Sequence, residues 1–385
     1  MKSPIHQRAV LRLIASGRAT SQLQLARSLG APANTIHGVV GRLLRRRVIR
    51  LDRTETYGRG RPIRHYRILR RKPVLAIEWL GSVWRSAVFL DDRVIGSVQT
   101  RHSQPVNTAA EALGALREIR DVALKGASLR LSQITGAALA INAVKGTRGH
   151  VWSSSVIPWI RDLSPEALAS AIGCKVRLDF ASGAAESELK ARATDGVQSL
   201  ALFNVGDGVS AHGVHFDSSW GVSHAFPGEL GHVMLDPQGP RCGCGHRGCL
   251  EALISGPAMV ARVRAEVKGC RLTRLSESRQ LLPTGLFDLM EQLEGDAYVD
   301  QLTREFLDRV AWGVSVIANM MRPDVIVLGG YALDGREAWR NRILEIARTH
   351  TLFGETAALR LEFPRLTSED HLRDLAGTFE LHPTS

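Results

Sequence analysis

Three of the five cysteines of this chain fall within eight residues, at Cys242, Cys244 and Cys249. Two histidines stand close to them, His232 before the cluster and His246 inside it. Three thiolates and one imidazole satisfy a tetrahedral zinc ion, and the intervening glycines let the backbone bend tightly enough for nearby ligands to converge. The pattern therefore predicts a structural Zn²⁺ site made by the three cysteines and one histidine, either His232 or His246.

The residues around this cluster resemble the signature of the ROK family, which comprises bacterial sugar kinases and transcriptional repressors. The resemblance rests on Pro227-Gly228-Glu229-Leu230-Gly231-His232, followed by Cys242-Gly243-Cys244-Gly245-His246-Arg247-Gly248-Cys249-Leu250-Glu251. It implies that His232, Cys242, Cys244 and Cys249 bind zinc. It also implies that Glu229, His232 and Glu251 face a sugar, whose vicinal hydroxyls can hydrogen-bond to carboxylates and to an imidazole.

The basic residues are concentrated near the N-terminus. The whole chain has a formal net charge of +12, from 50 Lys and Arg against 38 Asp and Glu. Residues 1–72 hold 18 of the basic residues and only two acidic ones, for a net charge of +16, so that residues 73–385 carry −4. Such asymmetry indicates a module that binds a polyanion, most often nucleic acid, joined to a near-neutral body.

The pattern of apolar residues in this basic segment predicts a winged helix-turn-helix over residues 1–72. Three helices are expected, and the third carries an apolar stripe from Ile36 to Leu44. Residues 48–51 and 66–69 are predicted to pair as a hairpin, the wing, around a tip that contains Gly58 and Gly60.

Polar residues opposite the apolar stripe are the candidates for reading DNA, because Asn can recognise adenine and Arg can recognise guanine or bind phosphate. The predicted major-groove residues are Asn34, Thr35, His37 and Arg42. Arg59 and Arg61 flank the glycine of the wing tip and are predicted to enter the narrow minor groove of A·T-rich DNA. The alternatives are simple solvent exposure for the helix residues and phosphate contacts for the two arginines.

From Val74 onward, β-rich runs alternate with helical patterns, which favours an α/β architecture. Strands are predicted at 74–77, 86–90, 134–141, 200–205 and 325–328, with helices near 109–123 and 298–320. The resemblance implies a two-lobed actin-like (ribonuclease H-like) ROK domain with a structural zinc site over residues 73–385.

Three motifs of the ROK kinases are altered in this chain. Leu80 replaces a glycine of the first phosphate loop, and Asp207 would repel phosphate at the second. Counting back from Glu188 places Asp179 and Phe180 at the family's Asn-Asp pair, and Phe cannot serve as the catalytic base. A one-residue slip would return Asp179 to the catalytic position. The chain is therefore predicted not to be an enzyme, and Asp179 is predicted to join the ligand-binding residues, because the pair also holds sugar hydroxyls.

These observations predict a transcription regulator that binds double-stranded DNA and senses a sugar or sugar derivative. It is expected to repress genes of sugar uptake or metabolism, and to act as a homodimer or homotetramer, since helix-turn-helix proteins match two half-sites by symmetry. The alternatives are a ROK-type sugar kinase that uses ATP and a protein whose body binds another protein. No apolar run reaches the roughly 18 residues of a membrane span and no secretory signal is recognised, so a cytoplasmic location is expected.

Overall fold

The structure is a computed structural model of the 385-residue chain. It describes residues 4–15, 19–55, 62–69, 72–91, 93–103, 106–145, 152–180, 183–192, 195–217, 222–268, 275, 281–352 and 359–379. The predicted wing-tip residues Arg59 and Arg61 lie outside these ranges. Within them, no helix combines the length and the apolar character that crossing a membrane requires.

The N-terminal segment forms three helices and a two-stranded antiparallel sheet. These are α1 (Pro4–Ala15), α2 (Gln22–Ser28), α3 (Ala33–Arg45), β1 (Ile49–Glu55) and β2 (Ile63–Ile68). Ser21 and Gln24 form a capping box that begins α2. The apolar side chains of this segment surround a core of their own, whose buried members include Val10, Leu25 and Val40.

A five-stranded sheet with the strand order β5-β4-β3-β6-β9 forms the first lobe of the larger part. Its elements are β3 (Val74–Trp79), β4 (Val83–Leu90), β5 (Arg93–His102), α4 (Ala109–Gly126), β6 (Gly136–Ile141), the hairpin of β7 (Val144–Lys145) and β8 (Trp152–Ser153), α5 (Pro165–Ile172) and β9 (Val176–Phe180). Strands β3 to β5 pair antiparallel, whereas β6 and β9 run parallel to β3. Alternate residues of β3, among them Leu75 and Ile77, pack against α4 and α5.

The second lobe repeats this arrangement with the order β12-β11-β10-β13-β14. Its elements are α6 (Gly183–Ala191), β10 (Ser199–Val205), β11 (Val209–Asp217), β12 (Val222–Gly228), α7 (Leu250–Ile254), α8 (Gly256–Lys268), α9 (Pro283–Gln292), α10 (Ala297–Met321), β13 (Val325–Gly329), α11 (Glu337–Thr349) and β14 (Leu361–Glu362). Strands β10 to β12 are antiparallel, and β13 and β14 are parallel to β10. Two lobes with the same sheet topology confirm the predicted α/β actin-like architecture.

Helices α6 and α12 (Ser368–Thr378) lie between the two lobes. Helix α12 packs Leu372 and Ala376 on the face of the first sheet that α4 and α5 leave uncovered. Helix α6 packs Ala185 and Leu189 on the corresponding face of the second sheet. The two helices also contact each other. They therefore form the floor of the space where the lobes face one another.

Candidate functional site

A cleft of 1790 Å³ lies between the lobes. It is lined by the turns after β3, β10 and β13, by the cysteine-rich loop, and by α6 and α12. The four predicted ligand-binding residues, Asp179, Glu229, His232 and Glu251, all line it. The volume exceeds the roughly 300–1,000 Å³ of ordinary small-molecule sites, so the cleft has room for a sugar and a second group.

The cysteine-rich loop closes on itself through backbone hydrogen bonds. Met234 and Cys249 form an antiparallel bridge, and the Cys242 N–H donates to the His246 carbonyl at 2.8 Å. Gly248 adopts a positive φ of 63°, and a Cβ at this position would lie only 1.4 Å from the Asp236 carbonyl oxygen. Glycine is therefore required there, as the sequence pattern predicted for a tightly bent loop.

This loop brings together His232, Cys242, Cys244 and Cys249, whose ligand atoms all lie within 4.8 Å of one another. The Sγ atoms of Cys244 and Cys249 are 3.7 Å apart, and Cys242 Sγ lies 3.6 Å from His232 Nδ1. A tetrahedral ion with thiolates at about 2.3 Å and an imidazole nitrogen at about 2.05 Å requires separations of about 3.8 Å and about 3.6 Å. The four residues therefore fit a tetrahedral metal ion.

His246, the alternative fourth ligand, lies outside this group of four. Its Nδ1 is 3.5 Å from Cys244 Sγ, on the exposed rim of the loop. Burial opposes ionisation of the Cys244 thiol, yet hydrogen bonds from the backbone and side chain of His246 outweigh it and lower the pKa of that thiol to about 6. His246 thus favours the thiolate form of Cys244, the form that a metal ion would bind.

Glu251 connects the metal cluster to the second lobe. It is buried, and its Oε2 accepts a hydrogen bond from the Val209 N–H at 2.9 Å. Its Oε1 lies 3.8 Å from Cys242 Sγ. The Glu251 carboxylate therefore contacts both the turn after β10 and the Cys242 thiol.

Glu229 and His232 face the cleft together from the turn that follows β12. Glu229 is exposed, and its Oε2 lies 3.9 Å from His232 Nε2. Because His232 Nδ1 points at Cys242, a metal ion bound there would fix the imidazole with Nε2 turned toward Glu229. One histidine can thus serve both the metal and a ligand in the cleft.

Asp179 lies near the end of β9, where it is half-buried and lines the cleft. Its backbone pairs with Ala140 of β6, which lines the same cleft. The sequence predicted that the cleft loses a carboxylate because Phe180 replaces an Asp. The structure shows the Asp179 carboxylate at the cleft one residue earlier. The side chain of Phe180 lies outside the described part.

Asp207 joins the two lobes, a contact that the sequence analysis missed. Its Oδ1 accepts a hydrogen bond from Ser82 Oγ at 2.7 Å, and it also accepts from the Ser82 N–H and the Tyr331 hydroxyl. Ser82 follows β3 in the first lobe, whereas Asp207 and Tyr331 follow β10 and β13 in the second. Burial raises the pKa of the Asp207 carboxyl, against the hydrogen bonds from Tyr331 and Ser82. No local motif could have revealed this contact, because its partners are far apart in sequence.

The predicted DNA-reading residues lie along α3. Asn34 and His37 are exposed, and Thr35 and Arg42 are partly exposed, on the side away from the buried Ile36. His37 Nδ1 lies 3.2 Å from Gln22 Oε1 at the start of α2, so the two helices are linked on their solvent side.

The duplicated sheets and the cleft between them define a protein of actin-like fold. A family model described as the ROK family matches residues 79–372, which is more than half of the chain. The chain therefore belongs to the ROK family. It is similar to the N-acetylmannosamine kinase of Citrobacter koseri, with 32% identity over 204 residues that are 51% of this chain and 66% of that kinase. The matched stretches span 66%, 44% and 38% of the lengths of three curated kinases.

Solved structures of two kinds share this fold. A ROK family transcriptional regulator, a homolog of the E. coli MLC protein, covers 98% of this chain and 96% of its own, with a TM-score of 0.66 and 19% identity. The ROK hexokinase from Thermus thermophilus covers 80% of this chain and 97% of its own, with a TM-score of 0.53 and 26% identity. At 19% identity, the likeness to the regulator shows the fold alone.

The prediction that the chain is not an enzyme is wrong. It rested on local changes at Leu80, Phe180 and Asp207. The relatives that are 31–32% identical to the matched stretches, and a solved structure at 26% identity, are named kinases. The physical reason is that the cleft keeps the Asp179 carboxylate and the tight glycine turn after β13, where a Cβ on Gly330 would lie 2.3 Å from the Val205 carbonyl oxygen. An enzyme is at least as well supported as a protein that only binds.

Proposed function

We propose that the chain is a transcription regulator that binds double-stranded DNA through residues 1–72 and responds to a sugar bound by residues 73–385. The observation that carries this proposal is the extent of the structural likeness. The regulator structure extends over 98% of the chain, whereas the hexokinase structure covers 80%. Coverage of 98% includes most of residues 1–72, whose described part forms three helices and a hairpin with a core of their own.

We interpret the N-terminal segment as a winged helix-turn-helix. Helix α3 exposes Asn34 and His37, with Thr35 and Arg42 beside them, and its opposite side is buried. The net charge of +16 over residues 1–72 favours a phosphate backbone. In this arrangement α3 lies in the major groove, and Arg59 and Arg61 of the wing enter the adjacent minor groove. For DNA binding of this kind we infer a cytoplasmic protein that acts as a homodimer or homotetramer on paired half-sites.

The ROK domain would supply the sugar response. We assign Zn²⁺ to His232, Cys242, Cys244 and Cys249, because their separations match the geometry of zinc with three thiolates and one imidazole. A zinc ion bound there would contribute folding free energy to the loop, and His232 would hold it through Nδ1. Asp179, Glu229, His232 and Glu251 would hydrogen-bond the hydroxyls of the sugar, which is the type of ligand that several carboxylates around a cleft can bind.

DNA binding is tested with the purified full-length protein. Bound sequences are selected from a random DNA library, and affinity for the selected site is measured by fluorescence anisotropy at several salt concentrations. Asn34→Ala should weaken binding to the selected site by roughly 10-fold and relax the choice of one base pair. Arg342→Ala is the control, because this side chain is 59% exposed on α11 and lies outside the proposed DNA-binding segment.

Two results would refute the regulator proposal. One is a selection that returns no enriched sequence, and the other is an Asn34→Ala variant that binds the selected site as tightly and as selectively as the wild type. An oligomer on DNA is measured separately by light scattering, where a single copy per selected site would contradict the paired half-sites.

Phosphorylation of a sugar by ATP is the second candidate function. The similarity to the Citrobacter koseri N-acetylmannosamine kinase and the position of Asp179 in the cleft favour it. An assay of ADP release with glucose and N-acetylmannosamine tests it, with Asp179→Asn expected to abolish any turnover, because the amide cannot accept the hydroxyl proton. Asp121→Asn is the matched control, since this side chain is 64% exposed on α4 and does not line the cleft.

A further inference from the structure

His212 is a buried histidine that has no hydrogen-bond partner among the residues that the structure describes. It lies in β11, is only 8% exposed, and lines the cleft between the lobes. Within the described part of the chain, neither Nδ1 nor Nε2 of its ring has a hydrogen-bond partner. A buried polar group that lacks a partner lowers stability, so such a group is unusual unless a ligand completes its hydrogen bonds.

The position of His212 in the sheet shows which way its ring points. Val209 and Ala211 belong to the core on the side of α10, whereas Val214 belongs to the core on the side of α6. Because side chains alternate along a strand, His212 shares the side of Val214 and α6. That side faces the first lobe across the cleft.

The surroundings of the ring favour its neutral form. Burial lowers the pKa of His212, and the nearby Glu229 carboxylate only partly opposes this shift. Neutral imidazole has one donor nitrogen and one acceptor nitrogen, and because the two point in different directions, each can hydrogen-bond a separate hydroxyl or amide. It provides no positive charge for a phosphate, and the neighbouring Glu229 would repel one.

We propose that His212 binds the sugar directly, through a hydrogen bond between one of its ring nitrogens and an uncharged hydroxyl or acetamido group next to the group bound by Glu229. His212 is thus a specificity-determining residue that admits neutral monosaccharides and disfavours sugar phosphates at this end of the cleft. This inference rests on the proposed sugar response of the ROK domain.

The experiment uses the full-length zinc-loaded protein and three variants. His212→Leu removes both ring nitrogens at similar volume, and His212→Gln keeps a donor and an acceptor. His215→Leu is the matched control, because His215 lies on the same strand but is exposed and points to the opposite side. Binding is measured by calorimetry with glucose, mannose, N-acetylglucosamine, N-acetylmannosamine and glucose 6-phosphate, and the melting temperature is measured without sugar.

The wild type should bind at least one neutral sugar more tightly than glucose 6-phosphate. His212→Leu should weaken that binding by at least 10-fold, His212→Gln by about 3-fold or less, and His215→Leu not at all. Without sugar, His212→Leu should raise the melting temperature by about 2 °C, since it removes two unpartnered polar atoms from a buried position. A histidine with a merely structural role would give a fall in melting temperature instead.

The failures of the two proposals are distinguishable. If the wild type binds a sugar and His212→Leu binds it equally well, the role of His212 is wrong while the sugar response stands. If glucose 6-phosphate binds more tightly than every neutral sugar, the proposed selectivity is wrong. If no sugar in the panel binds the wild type, sugar sensing and the role of His212 both fail, and the DNA-binding measurement decides independently whether the protein is a regulator.

Discussion

Replacing Glu188 by Ala tests a buried ion-pair network that connects α6 to the segment before α12. Glu188 and Arg192 are both fully buried, and Arg192 donates to the Glu188 carboxylate. The same carboxylate accepts hydrogen bonds from the backbone N–H groups of Arg365 at 3.1 Å and Leu366 at 3.0 Å. One side chain therefore satisfies a buried cation and two backbone donors.

The expected loss of stability follows from these contacts. Breaking a buried pair by removing one partner costs about 3–5 kcal/mol, and each orphaned buried donor adds about 1–3 kcal/mol. Arg192 keeps the Glu362 carboxylate at 3.1 Å and the Phe363 carbonyl at 2.8 Å, which moves the cost of the broken pair toward its lower end. With about 3 kcal/mol for the pair and about 1 kcal/mol for each of the two backbone donors, a decrease of about 5 kcal/mol in the free energy of unfolding is expected. That is a large part of the roughly 5–15 kcal/mol of a typical domain.

Urea unfolding followed by tryptophan fluorescence measures this loss through the shift of the midpoint and the slope. Glu345→Ala is the control, because Glu345 pairs with Arg342 on the surface at 3.1 Å with a side-chain exposure of 65%. That exposed pair should contribute less than about 1 kcal/mol. If Glu188→Ala shifts the midpoint no more than Glu345→Ala does, the network does not stabilise the fold and the reasoning is refuted.

Three further predictions concern the lobe contact, the metal and the wing. Burial raises the pKa of Asp207 in the native state above its usual 3.8, so between the unfolded and the native pKa the native state binds more protons. The stability of the wild type relative to Asp207→Asn should therefore fall as the pH rises through that range. Thermal melts in which the relative stability rises instead would contradict this prediction. Cys244→Ser should reduce zinc from about one ion per chain to a substoichiometric content, measured by elemental analysis; a folded wild type without metal would disprove the site. Combined Arg59→Ala and Arg61→Ala should weaken DNA binding more on operators with A·T-rich flanks than on those with G·C-rich flanks. An equal loss of affinity on both would mean that the two arginines contact only phosphates.

The metal cluster could be predicted from the sequence because its ligands are close together in the chain. Only the choice between His232 and His246 needed the structure, since both lie near the cysteines in sequence. The bridge between Met234 and Cys249 folds the preceding segment back and brings His232 to the thiols. A local pattern can thus identify most of a local site, and long-range pairing completes it.

Local reasoning missed the contacts of Asp207 and led to the wrong prediction that the chain is not an enzyme. Asp207 was interpreted as a charge that would repel phosphate, but its partners Ser82 and Tyr331 come from distant turns that only the fold brings together. The argument against an enzyme compared three motifs one at a time, whereas the cleft combines residues from both lobes, Asp179 among them. Helix α12 was not predicted, although Thr367 and Asp370 form a capping box just before its apolar residues.

The return of α12 to the first lobe has a consequence for the order of folding. Leu372, Leu375 and Ala376 cover a sheet face built from Val74, Ala138 and their neighbours, which are synthesised before the whole second lobe. The N-terminal module has its own core and can fold as soon as it is made. The first lobe, in contrast, keeps an apolar face open to water throughout synthesis of the second lobe, because α12, which covers that face, is made last. The contacts between α12 and the first sheet are also far apart in sequence and therefore form slowly. An apolar face that stays exposed during synthesis makes a nascent chain prone to aggregate, so this interval favours aggregation of the first lobe.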